Sequence, residues 1–77
     1  MNIRDAYTHR VYLARVRDFV EGATFPASRA DVLAYARNRN TPSDIFSDLT
    51  RLKADRFASL DEVVAAVDAL HFAGASR

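Results

Sequence analysis

The chain has 77 residues, no cysteine, and eleven basic against ten acidic side chains. That is room for one small domain at near-neutral charge, and it excludes two independent cores, disulfides, thiolate catalysis and cysteine-based zinc sites. Apolar residues make up 49% and charged residues 27%, with two glycines and two prolines, so the composition is that of a folding chain and not of a disordered tail. A domain this short gains little net stability from burial alone, which makes help from a second copy plausible.

Residues 3 to 20 contain neither glycine nor proline and read as a first helix, ended by the neighbourhood of Gly22 and Pro26. At 100° per residue, Tyr12, Leu13, Val16, Phe19 and Val20 share one face, and Ile3, Tyr7, Val11 and Ala14 lie roughly opposite. One face then packs on the domain and the other meets a partner. The alternatives are that the domain wraps the helix on both sides, or that its first turns fray.

An extended linker before Pro26 leads to Ser28, an expected N-cap, with Asp31 in the first turn. The second helix spans about 29 to 38, with Val32, Leu33 and Ala36 inward and Tyr35 at the margin. Thr41 is expected to cap a third helix at about 42 to 52, with Pro42 in its first position and Ile45, Phe46, Leu49 and Leu52 inward. Ser59 and Glu62 form a capping box for a fourth helix at about 60 to 71, which buries Leu60, Val63, Val64, Val67 and Leu70. Residues 73 to 77 read as a frayed tail. Phe25 and Phe57 each stand just before a capping serine, where plain core packing is favoured over pairing as two short extended segments. The expected fold is thus a single all-α domain over residues 1 to 77, a bundle of three or four helices.

The stretch from Phe19 to Arg37, including Phe25-Pro26-Ala27-Ser28-Arg29, together with Leu49-Thr50-Arg51-Leu52 and Phe57-Ala58-Ser59-Leu60-Asp61-Glu62-Val63, resembles a short bacterial domain-of-unknown-function family, the one numbered twenty-seven ninety-five. The likeness covers about residues 17 to 67. The chain departs from the family pattern at Asn38-Arg39-Asn40, where that pattern has a glycine-containing turn, and at Lys53-Ala54-Asp55, where it has Pro-Asp. The shared residues are caps, staples and core positions, so the resemblance implies a fold and no catalytic residue.

His9 and His71 are the only histidines, too few for a zinc site without carboxylates, and each reads as solvated or helix-capping. Glu62 is absorbed by its cap, and neither a phosphate-binding glycine loop nor a serine with a partner base occurs. No enzyme, metal or cofactor is therefore expected. Arg4, Arg10, Arg15 and Arg17 against Asp5 and Asp18 leave the first twenty residues at +2, and residues 59 to 77 stand at −2, a gradient that would let the ends attract each other or a second copy. A helix-turn-helix docking of the third helix on DNA would present Asp44, Ser47, Asp48 and Arg51, two of them carboxylates facing phosphate.

Two functional readings remain. The first is a cytoplasmic protein-interaction module that self-associates, for instance as a homodimer, through Ile3, Tyr7, Val11 and Ala14. The second is a nucleic-acid accessory protein using Arg15, Arg17, Arg37, Arg39, Lys53 and Arg56. No apolar run is long enough for a membrane span, and the first residues lack a signal-peptide pattern.

Overall fold

The computed structural model describes the backbone of residues 3–75 and the side chains of residues 9–71. Four helices and one two-stranded ribbon follow in the order α1 (Ile3–Val20), β1 (Ala27–Ser28), α2 (Arg29–Asn38), α3 (Ser43–Thr50), β2 (Arg56–Phe57) and α4 (Leu60–Ala75). The fold is thus mostly helical, with a small sheet that an all-α reading omits. Ala27 pairs with Phe57 and Ser28 with Arg56 in antiparallel register. Phe57 serves both roles weighed from the sequence, since it is a strand residue and also 98% buried, at 2% exposure. The frayed tail expected from residue 73 is helical in its backbone as far as Ala75.

α1 and α4 run antiparallel, as the pairs His9–Asp68 and Arg17–Asp61 show, while α2 and α3 pack across one side of them. The core between them is Val16 and Val20 of α1, Val32 and Ala36 of α2, Ile45 and Leu49 of α3, and Val63 and Val67 of α4, all essentially without exposure. Burial at about 1.5 to 3 kcal/mol per large aliphatic side chain is the main favourable term in holding the four helices together. Leu13, Phe19, Phe25, Leu33, Phe46, Leu60 and Leu70 close the rim.

Polar groups fix the chain's turns. Ser28 accepts from the Asp31 amide at 3.0 Å while Asp31 accepts from the Ser28 amide, a complete capping box. At α4, Ser59 Oγ accepts from the Glu62 amide at 3.3 Å, but the Glu62 carboxylate reaches one residue further back, to the Ala58 amide at 2.8 Å. Thr41 does not cap α3. Its hydroxyl and its amide both donate to the Ala36 carbonyl, at 2.7 and 3.2 Å, and so close the C-terminus of α2; Pro42 stands at the N-cap of α3 with no side-chain hydrogen bond there.

The reason lies in Asn40, whose φ of 56° places it in the left-handed region. With the Asn40 amide on the Arg37 carbonyl and the Thr41 amide on that of Ala36, this is a Schellman close. Asparagine occupies the position that glycine holds most often. At the departure from the glycine-containing pattern, Asn40 thus supplies the left-handed residue that closes α2. The second departure, at 53 to 55, is held by Arg29. Its amide donates to the Asp55 carbonyl at 2.8 Å and its guanidinium to that of Leu52 at 2.6 Å. Gly22, at φ 102°, lies so close beneath Tyr35 that a β-carbon there would collide with the phenol oxygen.

Ser28→Ala should lower unfolding stability in urea by roughly 0.5 to 2 kcal/mol, because a bonded N-cap is lost. Ser43→Ala, which removes an exposed hydroxyl that caps nothing, should leave the midpoint unchanged; equal losses in the two variants would contradict the capping assignment.

Candidate functional site: a buried carboxylate between three helices

On the wheel of α3, Asp48 borders the apolar arc, next to the direction of Leu52, and not on the far side of the helix. The side chain retains only 11% of its exposure. It is therefore absent from the face that would meet DNA if α3 were a recognition helix, and the Asp44, Ser47, Asp48 and Arg51 arrangement expected from the sequence is broken at its third member.

A carboxylate in that position needs donors, and two other helices supply them. The Tyr12 hydroxyl of α1 donates to Asp48 Oδ2, and His71 Nε2 of α4 lies 2.7 Å from the same oxygen. Arg51 Nη1, one turn on, stands 3.7 Å from Oδ1. Beside this node His9 Nε2 lies 2.7 Å from Asp68 Oδ1. An ionised carboxylate only accepts, so each imidazole presents a protonated Nε2 to its aspartate. The rings of His9 and His71 stand 5.5 Å apart and those of Tyr12 and His71 5.3 Å, the latter edge to face. Both histidines keep part of their exposure, 31% at His9 and 43% at His71, but neither merely caps its own helix. Both cross between helices, at sequence separations of 59 and 23 residues, which no local spacing could reveal.

The electrostatics follow from these partners. Burial pushes the Asp48 carboxyl up, but the hydrogen bonds from Tyr12 and His71, with the charge of His71 and Arg51, outweigh it and hold the carboxyl below its ordinary value. Tyr12 moves the other way. Burial, the bond to Asp48 and the negative potential of Asp48 and Asp44 hold its phenol protonated well above the usual range, against the opposing pull of Arg15. No buried side-chain nitrogen or oxygen among the described residues lacks a partner. Nor, among those residues, does any group of three or more His, Asp or Glu side chains have the geometry to hold a metal ion. The arrangement ties helices together; three carboxylates, those of Asp44, Asp48 and Asp68, would oppose an anionic ligand there.

The arginines named as a nucleic-acid surface have individual surroundings. Arg39 donates to the Asp18 and Glu21 carbonyls, both at 3.2 Å, and so satisfies the C-terminus of α1; the Tyr35 hydroxyl joins it on Glu21 at 2.8 Å. Arg17 pairs with Asp61, Arg15 stands 3.8 Å from Asp44, and Arg37 lies 5.5 Å over the Phe46 ring beside an open groove with Asn40, Thr41 and Ser43. Lys53 and Arg56 are exposed. On the outer side of α1, Val11 is 42% exposed and Ala14 is exposed as well. Ile3 and Tyr7 lie outside the residues whose side chains are described.

The directions of the two pKa displacements fix a pH dependence. A depressed carboxyl stabilises the fold above its unfolded value, near ~3.9, and that contribution is lost as pH falls through the folded value. A raised phenol stabilises the fold below its unfolded value, near ~10, and the contribution is lost as pH rises through the folded one. Asp48→Asn should therefore flatten the acid limb of the stability curve, and Tyr12→Phe the alkaline limb. Unchanged limbs in both variants, read by chemical denaturation across pH, would contradict this node.

No match was found among curated proteins or among solved structures. A comparison with protein families matches residues 13–64 to one described as a protein of unknown function, DUF2795. That span contains the core ends of α1 and α4, both strands, α2 and α3, so the matched region is the packed body of the domain. The chain belongs to the DUF2795 family.

Proposed function

We propose that the protein is a non-enzymatic, cytoplasmic protein-interaction module that associates with itself through the outer face of α1. The observation that carries this reading is the contrast across one helix. Val16 and Val20 are fully buried, yet Val11 on the far side is 42% exposed, the one large hydrophobic side chain so exposed among the described residues. Ala14, one turn on, continues the exposed strip, and Ile3 and Tyr7 share its helical register. A contiguous apolar strip on a helix is costly in water and is relieved by contact with a second apolar surface. The histidine, tyrosine and aspartate side chains that chemistry would need are taken up in fastening helices to one another, and this favours a binding role over a catalytic one. The nucleic-acid reading draws less support, because Arg17 and Arg39 are occupied by Asp61 and by the carbonyls of α1.

No helix among the described residues is long and apolar enough to cross a membrane. Sedimentation of the native chain up to millimolar concentration should show reversible self-association that persists in high salt, as apolar contact does and phosphate binding does not. Replacing Tyr7 and Val11 together by Gln should abolish it with helicity retained. A native chain that stays monomeric, or one that shifts only when an oligonucleotide is added, would overturn the reading.

A further inference from the structure

The outer face of α1 carries more than an apolar strip. Counting from Arg4, alternating steps of three and four residues along the chain mark one helical row, namely Arg4, Tyr7, Val11, Ala14, Asp18 and Glu21. Their side is opposite the one that buries Val16 and Val20. Val11, Ala14, Asp18 and Glu21 are all exposed, and the side chains of Asp18 and Glu21 have no ion pair among the described residues. The Glu21 amide donates to the Arg17 carbonyl at 2.7 Å, so the helical path continues to the end of this row. The row is basic at its first position, apolar in its middle and acidic at its last two.

This order of charges selects an orientation. Laid parallel on a second copy, the row would set Arg4 against Arg4, Asp18 against Asp18 and Glu21 against Glu21, a like-charge contact at every polar layer. Laid antiparallel about a two-fold axis between Val11 and Ala14, it sets Arg4 against Glu21 of the second copy, Tyr7 against Asp18, where a phenol can donate to a carboxylate, and Val11 against Ala14. The same row is then its own complement, as a two-fold contact requires. Of the flanking arginines, Arg17 is paired with Asp61 and Arg15 stands 3.8 Å from Asp44; among the described residues Arg10 at the side, and Arg39 on the Asp18 and Glu21 carbonyls at the acidic end, have no ion pair. Exposed ion pairs contribute little to affinity, so the apolar centre supplies the attraction and the charged ends set direction.

We infer that two copies of this chain pair through α1 as an antiparallel helix pair centred between Val11 and Ala14, the charge order of its outer row specifying that orientation. The inference rests on the self-association proposed above and adds its register. Because the chain has no cysteine, single cysteines report the contact cleanly. Tyr7→Cys and Asp18→Cys chains, mixed and oxidised, should form the mixed disulfide in large excess over either homodimer, since in this register two copies of position 7 lie about 16 Å apart along the axis. Homodimeric crosslinks from each variant alone would show a parallel pair and overturn the inference while leaving self-association standing.

A second measurement does not depend on position 7. Glu21→Arg should weaken dimerisation in sedimentation, and Arg4→Glu in the same chain should restore it. A double variant as weak as the single one would overturn the register even where the native chain dimerises, and a native chain that is monomeric throughout would overturn register and self-association together.

Discussion

The fold depends on how one carboxylate is made tolerable at the buried edge of an apolar arc. α3 is only eight residues long, too short to be stable alone, and it buries Asp48 along with Ile45 and Leu49. Left unpartnered, that aspartate would have to be buried without a hydrogen bond or give up its charge, at a cost comparable with what a buried aliphatic side chain returns. Tyr12 and His71 turn the cost into a constraint, because both must reach the same oxygen. The constraint fixes the depth and rotation of α3 against α1 and α4 at once. Removing one donor would leave a buried acceptor short of a bond, a loss of about 1 to 3 kcal/mol, comparable with a sizeable part of the stability of a domain this small.

The same logic recurs at the other end of α1. There the helix would leave carbonyls unsatisfied, and Arg39 and Tyr35 arrive from α2 to accept that role. α1 is thus pinned near its middle by a carboxylate on α3 and at its C-terminus by donors from α2, while Arg17 and His9 join it to α4. All of these attachments lie on or beside the face that packs inward. On the opposite row, the described side chains of Val11, Ala14, Asp18 and Glu21 are exposed.

Much of the fold was legible because it is written locally. Ser28 with Asp31, and Ser59 with Glu62, mark helix starts within four residues, and the aliphatic stripes of α2 and α4 repeat at the helical period. What escaped is non-local or conditional. With Ile45, Phe46, Leu49 and Leu52 taken inward, the sequence puts Asp48 on the outer face, although its angle lies closer to Leu52 than that of Phe46 does; position on the helical wheel is the signal that would have found it. Thr41 before Pro42 has the chemistry of an N-cap, yet a left-handed Asn40 turns its hydroxyl back onto α2. Two-residue strands are too short to show alternation. The histidine contacts are set by how α1 and α4 align, which no spacing within either helix records. Periodicity puts Val11 and Ala14 on the face away from the core, where they stand exposed.

The central claim is that Tyr12 and His71 act through one shared carboxylate and not as independent surface contacts. A double-mutant cycle tests it most directly, with Tyr12→Phe, His71→Gln and the double variant compared by chemical denaturation at neutral pH. If Asp48 couples them, the two losses will depart from additivity by roughly 0.5 to 3 kcal/mol, and the departure will vanish in an Asp48→Asn background. Losses that add to within about 0.3 to 0.5 kcal/mol in both backgrounds would contradict a shared node between the three helices.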